Sequence, residues 1–228
     1  MFDRRTLMLG AFFVCGTRAL AQSQPFSGLT QQEAALGISE ALSVAATAST
    51  DRLGRVNGFF GDLNVRIPLP ERFEGWRRAF SVIGLGGPFD ELERGINRAA
   101  ERTMPEAGRI FLDAILDLTI RDAIAILRGG DQAATLYLRD RTGSRLTRLI
   151  TPPMRSALET SGVFRIIDLI AGQVRMRREA RALRGDVTVF AVEKALDGVF
   201  YYIGREEAAI RRDPLRRTSD ILRRVYGG

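Results

Sequence analysis

Asp131, Thr135, Tyr137 and Arg139 are the residues of this chain whose types and spacing could do chemistry together, and they follow Gly129 and Gly130 directly. A helix begun at Asp131 turns about 100° per residue and carries Thr135, Arg139 and Thr142 within an arc of roughly 80°. Leu138, Leu146 and Leu149 edge that arc, so the polar stripe is expected to be partly buried. Two uses follow. Asp131 can cap the helix while its neighbours make local hydrogen bonds that orient it. Alternatively the stripe lines a pocket, with Gly129, Gly130, Asp131, Thr135, Tyr137 and Arg139 as the binding residues. In either case one of the paired glycines, free to take positive φ, is expected to end the preceding helix in a left-handed cap.

The residue types set firm limits on the chemistry. The 228 residues include no histidine and a single cysteine, Cys15. Imidazole acid–base catalysis, His-based triads and Cys/His zinc sites are therefore excluded, as is an intramolecular disulfide. The carboxylate pairs Asp113/Asp117 and Glu206/Glu207 could hold an oxygen-loving metal only with help from another helix, and they are expected to be surface charges. No metal and no cofactor is expected. Gly-Gly-Asp also occurs in cyclic-dinucleotide synthases, but Gln132-Ala133 stands where their acidic ending is required. The cluster Gly84-Leu85-Gly86-Gly87-Pro88 lacks the GK[ST] ending of a nucleotide loop, and no strand precedes it.

The elements that must position these residues read as helices. Thr30 and Glu33 form a capping box for a first helix that ends near Thr50. Gly54, Gly58 and Gly61, then Pro68 and Pro70, predict an irregular connection in which Phe59 and Phe60 fold over the core or form an exposed patch. Short helices are expected over 71–82 and 88–102, and Pro105 is expected to open another, carrying Ile110, Phe111, Ala114, Ile115 and Leu118. Thr119 starts the helix that runs to the central glycines, Thr151-Pro152-Pro153 restarts the chain, and Gly162 interrupts it. A long helix is expected from Asp186 or Thr188 to Arg212, its seam including Val189, Val192, Leu196, Val199 and Ile203. Thr218 or Ser219 then caps a short last helix. No run alternates as a strand would, so the expected fold is an all-α, single-domain helical bundle with Gly/Pro-rich irregular connections.

The quoted motifs also carry a resemblance. Gly129-Gly130-Asp131 with Ala133-Ala134-Thr135 and Tyr137 lies between Ile67-Pro68-Leu69-Pro70 and Ala195-Leu196-Asp197-Gly198. Asp213-Pro214 through Arg217-Thr218-Ser219-Asp220 follows. In this order the motifs resemble the bacterial family called domain of unknown function 4197, over nearly everything from Leu29 to Gly227. The resemblance implies an exported, mostly helical protein and brings no activity with it.

Export is also written in the first residues. Arg4-Arg5 precede an apolar run from Leu7 to Gly16, and Ala19-Leu20-Ala21 is an A-x-A cleavage signature. Residues 1–21 are thus expected to be a signal peptide of twin-arginine type, with a Sec signal as the alternative. Residues 22–28 form a linker and 29–228 the helical domain. Cys15 lacks the small neighbour of a lipoprotein signal, because Phe12-Phe13-Val14 precede it. The formal charge of +7 stays positive when Asp3, Arg4, Arg5 and Arg18 leave with the signal. Lys194 is the only lysine, and arginine suits forked contacts with carboxylates and phosphates, although a GC-rich coding genome gives the same bias.

The most basic run holds Arg175, Arg177, Arg178, Arg181 and Arg184. A solvated face accounts for it, and an anionic membrane surface is the partner it would suit. Nucleic acid is not expected, since the run has no stacking aromatics and export would separate the two. Two function classes remain. One is a non-catalytic periplasmic envelope protein that binds an apolar or amphipathic ligand, or a protein partner, through a helical pocket near Gly129-Gly130-Asp131. The other is a carboxylate-dependent enzyme working without histidine or cysteine. N-terminal sequencing of protein from the envelope is expected to begin at Gln22, and Arg4→Lys with Arg5→Lys should block export; unchanged periplasmic yield in that variant would assign the Sec route instead.

Overall fold

The computed structural model describes residues 30–227, so the expected signal and linker lie outside the described residues. Eight helices make up the bundle: α1 (Gln31–Leu53), α2 (Glu71–Ser81), α3 (Gly87–Leu116), α4 (Ile120–Leu127), α5 (Ala133–Thr160), α6 (Val163–Gln173), α7 (Ala180–Arg212) and α8 (Asp220–Tyr226). Among the described residues there is no strand, and no helix is long and apolar enough to cross a membrane. The four long helices form a ring in which α1 packs on α3, α3 on α5, α5 on α7 and α7 on α1. A large apolar core runs through them, and a small second cluster of Ala41, Ile210 and Leu222 joins α1, α7 and α8.

Local signals account for most helix starts. Thr30 accepts from the Glu33 amide, and Glu33 reaches back to the Thr30 amide at 2.8 Å. Thr119 and Asp122 repeat the arrangement at α4, and Ser219, rather than Thr218, caps α8. Gly37 has a packing reason: a Cβ there would come within 2.5 Å of a Val225 methyl, so α8 lies directly on α1. Val189, expected in the buried seam from its spacing, is exposed, as is Leu36 of α1. The buried stripes run through Gly37, Ile38 and Leu42 in α1 and through Val187, Ala191 and Val192 in α7.

Two expected breaks are absent, and one helix starts earlier than expected. α3 runs straight through Pro105, where a separate helix was expected. An interior proline costs about 3 kcal/mol, but fully buried Met104 and Phe111 each contribute roughly 1.5–3 kcal/mol of burial, one on either side. α5 likewise continues through Pro152 and Pro153. The carbonyls that these prolines leave unpaired belong to Arg148 and Leu149, which face solvent, while Ile150, Met154 and Leu158 are fully buried on the other face. α7 begins at Ala180, two turns before Asp186, because Leu183 is buried and Arg184 binds Asp168 across to α6.

The connection from Gly54 to Pro70 is irregular, as expected, and α3 holds it with a polar ladder on one face. Glu93, Asn97 and Glu101 recur every four residues there, all buried. Glu101 accepts from the Phe59 and Phe60 amides at 3.2 and 3.3 Å. Asn97 accepts from the Ile67 amide at 2.9 Å and donates to the Ile67 carbonyl at 2.7 Å, the geometry of a strand partner supplied by one side chain. Glu93 takes Arg66 at 2.8 Å and Arg77 at 3.2 Å. Phe59 is thereby buried and Phe60 half-buried beneath Arg66. The opposite side of the loop rests on α7, where a Cβ at Gly198 would meet the Phe59 ring at 2.8 Å.

Asn97→Ala is expected to lower the unfolding free energy by about 2–4 kcal/mol, because the Ile67 amide and carbonyl lose their partner inside the protein. Urea denaturation measures the loss, and trypsin should cut first after Arg55 or Arg66; an unchanged midpoint would show that apolar contacts alone hold the loop.

Candidate functional site

The turn between α4 and α5 places the six residues singled out from sequence, and its construction differs from the expected one. Neither Gly129 nor Gly130 is left-handed; among the described glycines only Gly84 and Gly162 have positive φ. α4 ends instead in a right-handed cap at Arg128. Gly129 is needed for space, since a Cβ there would approach the Ala133 methyl to 2.4 Å, whereas a Cβ at Gly130 would meet nothing within 4 Å.

Asp131 does not cap α5. The cap position is Gln132, which makes no side-chain cap bond, and Asp131 is half-exposed and paired with Arg212. The cap comes from α7. One carboxylate oxygen of buried Glu207 accepts from the Ala134 amide at 3.0 Å, and the other from the Thr135 amide at 2.8 Å and the Thr135 hydroxyl at 2.6 Å. Arg211, one turn on, donates to Glu207 at 2.9 Å and to the Ile126 carbonyl near the end of α4 at 3.2 Å. A negative charge thus meets the positive end of α5, and a guanidinium satisfies a carbonyl at the negative end of α4.

The remaining residues of the stripe are spread along α7 and around α5. Arg139 pairs with Asp197 and lies over the Phe200 ring. Arg212 and Asp197, the partners of Asp131 and Arg139, are about 22 Å apart along the helix at 1.5 Å per residue. Tyr137 faces away from α7, toward Asp122 on α4. Burial, then the hydrogen bond to Asp122, pushes its phenol up to about 12, so it stays protonated at neutral pH. Asp122 is held below the usual carboxylate range by the Thr119 hydroxyl and then by Tyr137. The structure therefore brings Thr135 onto Glu207, ties Asp131 and Arg139 to separate points of α7, and leaves Tyr137 on another side.

Among the described residues, two surface hollows exceed 500 Å³. The first, about 680 Å³, lies beside Tyr137 between α4, α5 and the end of α3. Its charges are engaged with one another: Arg145 binds Asp117 at 2.9 Å, and Arg141 lies 4.0 Å from Asp122. The second, about 560 Å³, is an open groove between α3 and α6. Arg94, Arg98 and Arg102 line it from successive turns of α3, and Arg165 faces them from α6. Arg98 is bound to Glu101 at 2.7 Å and to Asn57 at 2.9 Å, whereas Arg102 and Arg165 have no ion-pair partner among the described residues. Glu91 is the one carboxylate in the lining.

The start of α6 adds to this positive character. Its cap residue is left-handed Gly162, which offers no side chain to the first amides, and the Ser161 hydroxyl oxygen beside it is buried without a hydrogen-bond partner. α6 reaches this position because α3 has no side chain at Gly95, where a Cβ would meet a Val163 methyl at 2.7 Å. None of the four groove arginines is marked by a motif in the sequence. The signal was there in α3: three like charges at four-residue spacing repel one another and give an isolated helix no advantage.

Three carboxylates are held in their charged form by hydrogen bonds. The three with resolved shifts, Glu33, Asp62 and Asp122, all lie below their usual values. For Asp62 burial alone would raise the value, but hydrogen bonds from Tyr202, Asn64 and Arg52 outweigh it and bring it to about 2. Asp117 and Glu206 form surface ion pairs, and among the described residues no three carboxylates or cysteines converge as a metal would require.

A family model described as "Protein of unknown function (DUF4197)" matches residues 28–227, and the chain belongs to that family. No curated protein and no solved structure matches the chain.

The two carboxylates at the α4–α5 turn should behave very differently on substitution. Glu207→Ala strands Arg211 and two helix amides and is expected to cost about 3–5 kcal/mol. Asp131→Ala removes only an exposed pair and is expected to cost about 1 kcal/mol or less. Urea midpoints of the two variants decide this, and equal losses would return the capping role to Asp131.

Proposed function

We propose that this member of the DUF4197 family is a non-catalytic envelope protein that binds an anionic, phosphate-bearing amphiphile in the arginine groove between α3 and α6. The observation that carries the proposal is the set of four groove arginines, of which Arg94, Arg102 and Arg165 have no carboxylate partner among the described residues, around an uncapped helix start. Guanidinium groups match phosphate oxygens in forked geometry, and helix amides without partners favour the same charge. Ile166 and Leu169 give the groove an apolar wall, which suits a ligand with a charged head and a greasy body. Export through residues 1–21 would bring the groove to the periplasm, where phosphate-bearing amphiphiles are part of the surroundings.

Other ligand classes fit less well. A small hollow bordered by Phe80, Leu85, Phe89 and Ile170 has about 60 Å³, too little for an acyl chain. The hollow beside Tyr137 is nearest to the Gly129-Gly130-Asp131 turn, but its arginines already face aspartates. At the hollow beside Tyr137, the phenol is pushed up to about 12 and Asp122 is held below the usual carboxylate range, so neither is suited to proton transfer at neutral pH.

Isothermal titration with inorganic pyrophosphate tests the groove. Saturable binding that weakens with salt is expected, and Arg102→Gln combined with Arg165→Gln should reduce affinity at least tenfold without moving the melting temperature, since both side chains are exposed. Undiminished affinity in the double variant would place the anion elsewhere.

A further inference from the structure

The turn between α2 and α3 exposes apolar side chains that the fold itself does not use. Val82 is 85% exposed, Ile83 68% and Leu85 50%, at the tip of a reversal made by left-handed Gly84. Scattered exposed apolar residues are ordinary, but three within four positions of one tip are a patch. Leu169 of α6, 53% exposed, extends it. Leu85 and Leu169 border the same small apolar hollow, and Leu169 also lines the arginine groove. The apolar tip and the groove are therefore neighbouring parts of one surface, joined along α6.

The groove lining carries four arginines against one carboxylate, Glu91. Asp168 is bound to Arg184, and Glu74 and Asp90 to Arg77, which leaves Glu91 as the acidic member of the groove. At the other end of α6, Gln173 borders the apolar hollow, and the basic run begins two residues later at Arg175. Within that run Arg184 is engaged by Asp168, while Arg175, Arg178 and Arg181 are exposed. An apolar tip thus stands between two arginine-rich zones, one at each end of α6.

We propose that this face docks on an anionic lipid surface, with Val82, Ile83, Leu85 and Leu169 entering the acyl boundary and the groove arginines holding lipid phosphates. The inference rests on the groove being an anion site, and it identifies the phosphate as that of a membrane headgroup. Short apolar insertions combined with arginines are what interfacial binding uses: apolar area provides depth, and each cation near an anionic surface strengthens binding about fivefold. A stable protein interface would bury on the order of 800 Å² per partner, more than four side chains at a tip offer.

Co-flotation with lipid vesicles tests the docking, using protein isolated from cells. Binding is expected to vesicles containing phosphatidylglycerol and not to vesicles of phosphatidylcholine alone. Val82→Ser with Ile83→Ser should reduce vesicle partitioning at least tenfold while leaving pyrophosphate titration and melting temperature unchanged. Arg102→Gln with Arg165→Gln should reduce both vesicle and pyrophosphate binding. Pyrophosphate binding without vesicle binding would overturn the membrane inference and leave the anion groove standing, its ligand then a soluble phosphate compound. Equal flotation with neutral vesicles, or full flotation of the serine variant, would also overturn it. So would a serine variant whose only change is loss of self-association in light scattering, since the tip would then cover a second copy of the chain.

Discussion

A buried carboxylate survives only where its surroundings replace the water it has lost, and at Glu207 three donors on α5 and one arginine do so. That local requirement fixes long-range geometry. Two amides and a hydroxyl at the start of α5 must come to one point on α7, and Arg211 must reach back to the last turn of α4. The α4–α5 turn is therefore built to be received by α7. The glycine at position 129 lets Ala133 close over the turn, and Thr135 is conspicuous in the sequence because its hydroxyl and its amide both belong to the clamp. Arg217 continues the same logic beyond α7, donating to the Ile210 and Arg211 carbonyls that the helix end leaves open.

A second polar device secures the opposite side of the core. The Glu93–Asn97–Glu101 ladder gives the extended loop the hydrogen bonds that a sheet would have supplied, which lets Phe59, Ile67 and Leu69 be buried without stranding their backbone. Burial on either side of Pro105 and of Pro152-Pro153 outweighs the local loss, because the unpaired carbonyls of α5 lie on its wet face.

This inward use of polar residues leaves the outer arginines to set the surface character. Most carboxylates are taken up in caps, ladders and ion pairs, so positive charge collects where acidic partners run out, around α6. The groove between α3 and α6 exists because Gly95 admits Val163, and the same close crossing brings Leu169 beside the α2–α3 tip. The proposed anion binding and lipid docking would thus both follow from one helix placement.

The amino-acid sequence by itself determined the helical class, the capping boxes at Thr30 and Thr119, the irregular segment from Gly54 to Pro70 and the family. These depend on neighbours three or four positions apart, or on residue types, and such information is written along the chain. It also singled out the Gly129-Gly130-Asp131 stretch, where Thr135 does lie on a buried contact. The tertiary structure decided what the stretch does. A carboxylate more than seventy residues away displaced Asp131 from the cap, and no local pattern announces a cap supplied by another helix. Breaks at Pro105 and Pro152 were misjudged for the same reason: backbone rules weigh the lost hydrogen bond, while the burial that outweighs it comes from distant helices. The arginine groove was the least legible part, because Arg165 joins Arg94, Arg98 and Arg102 only when α6 folds back across α3 at Gly95.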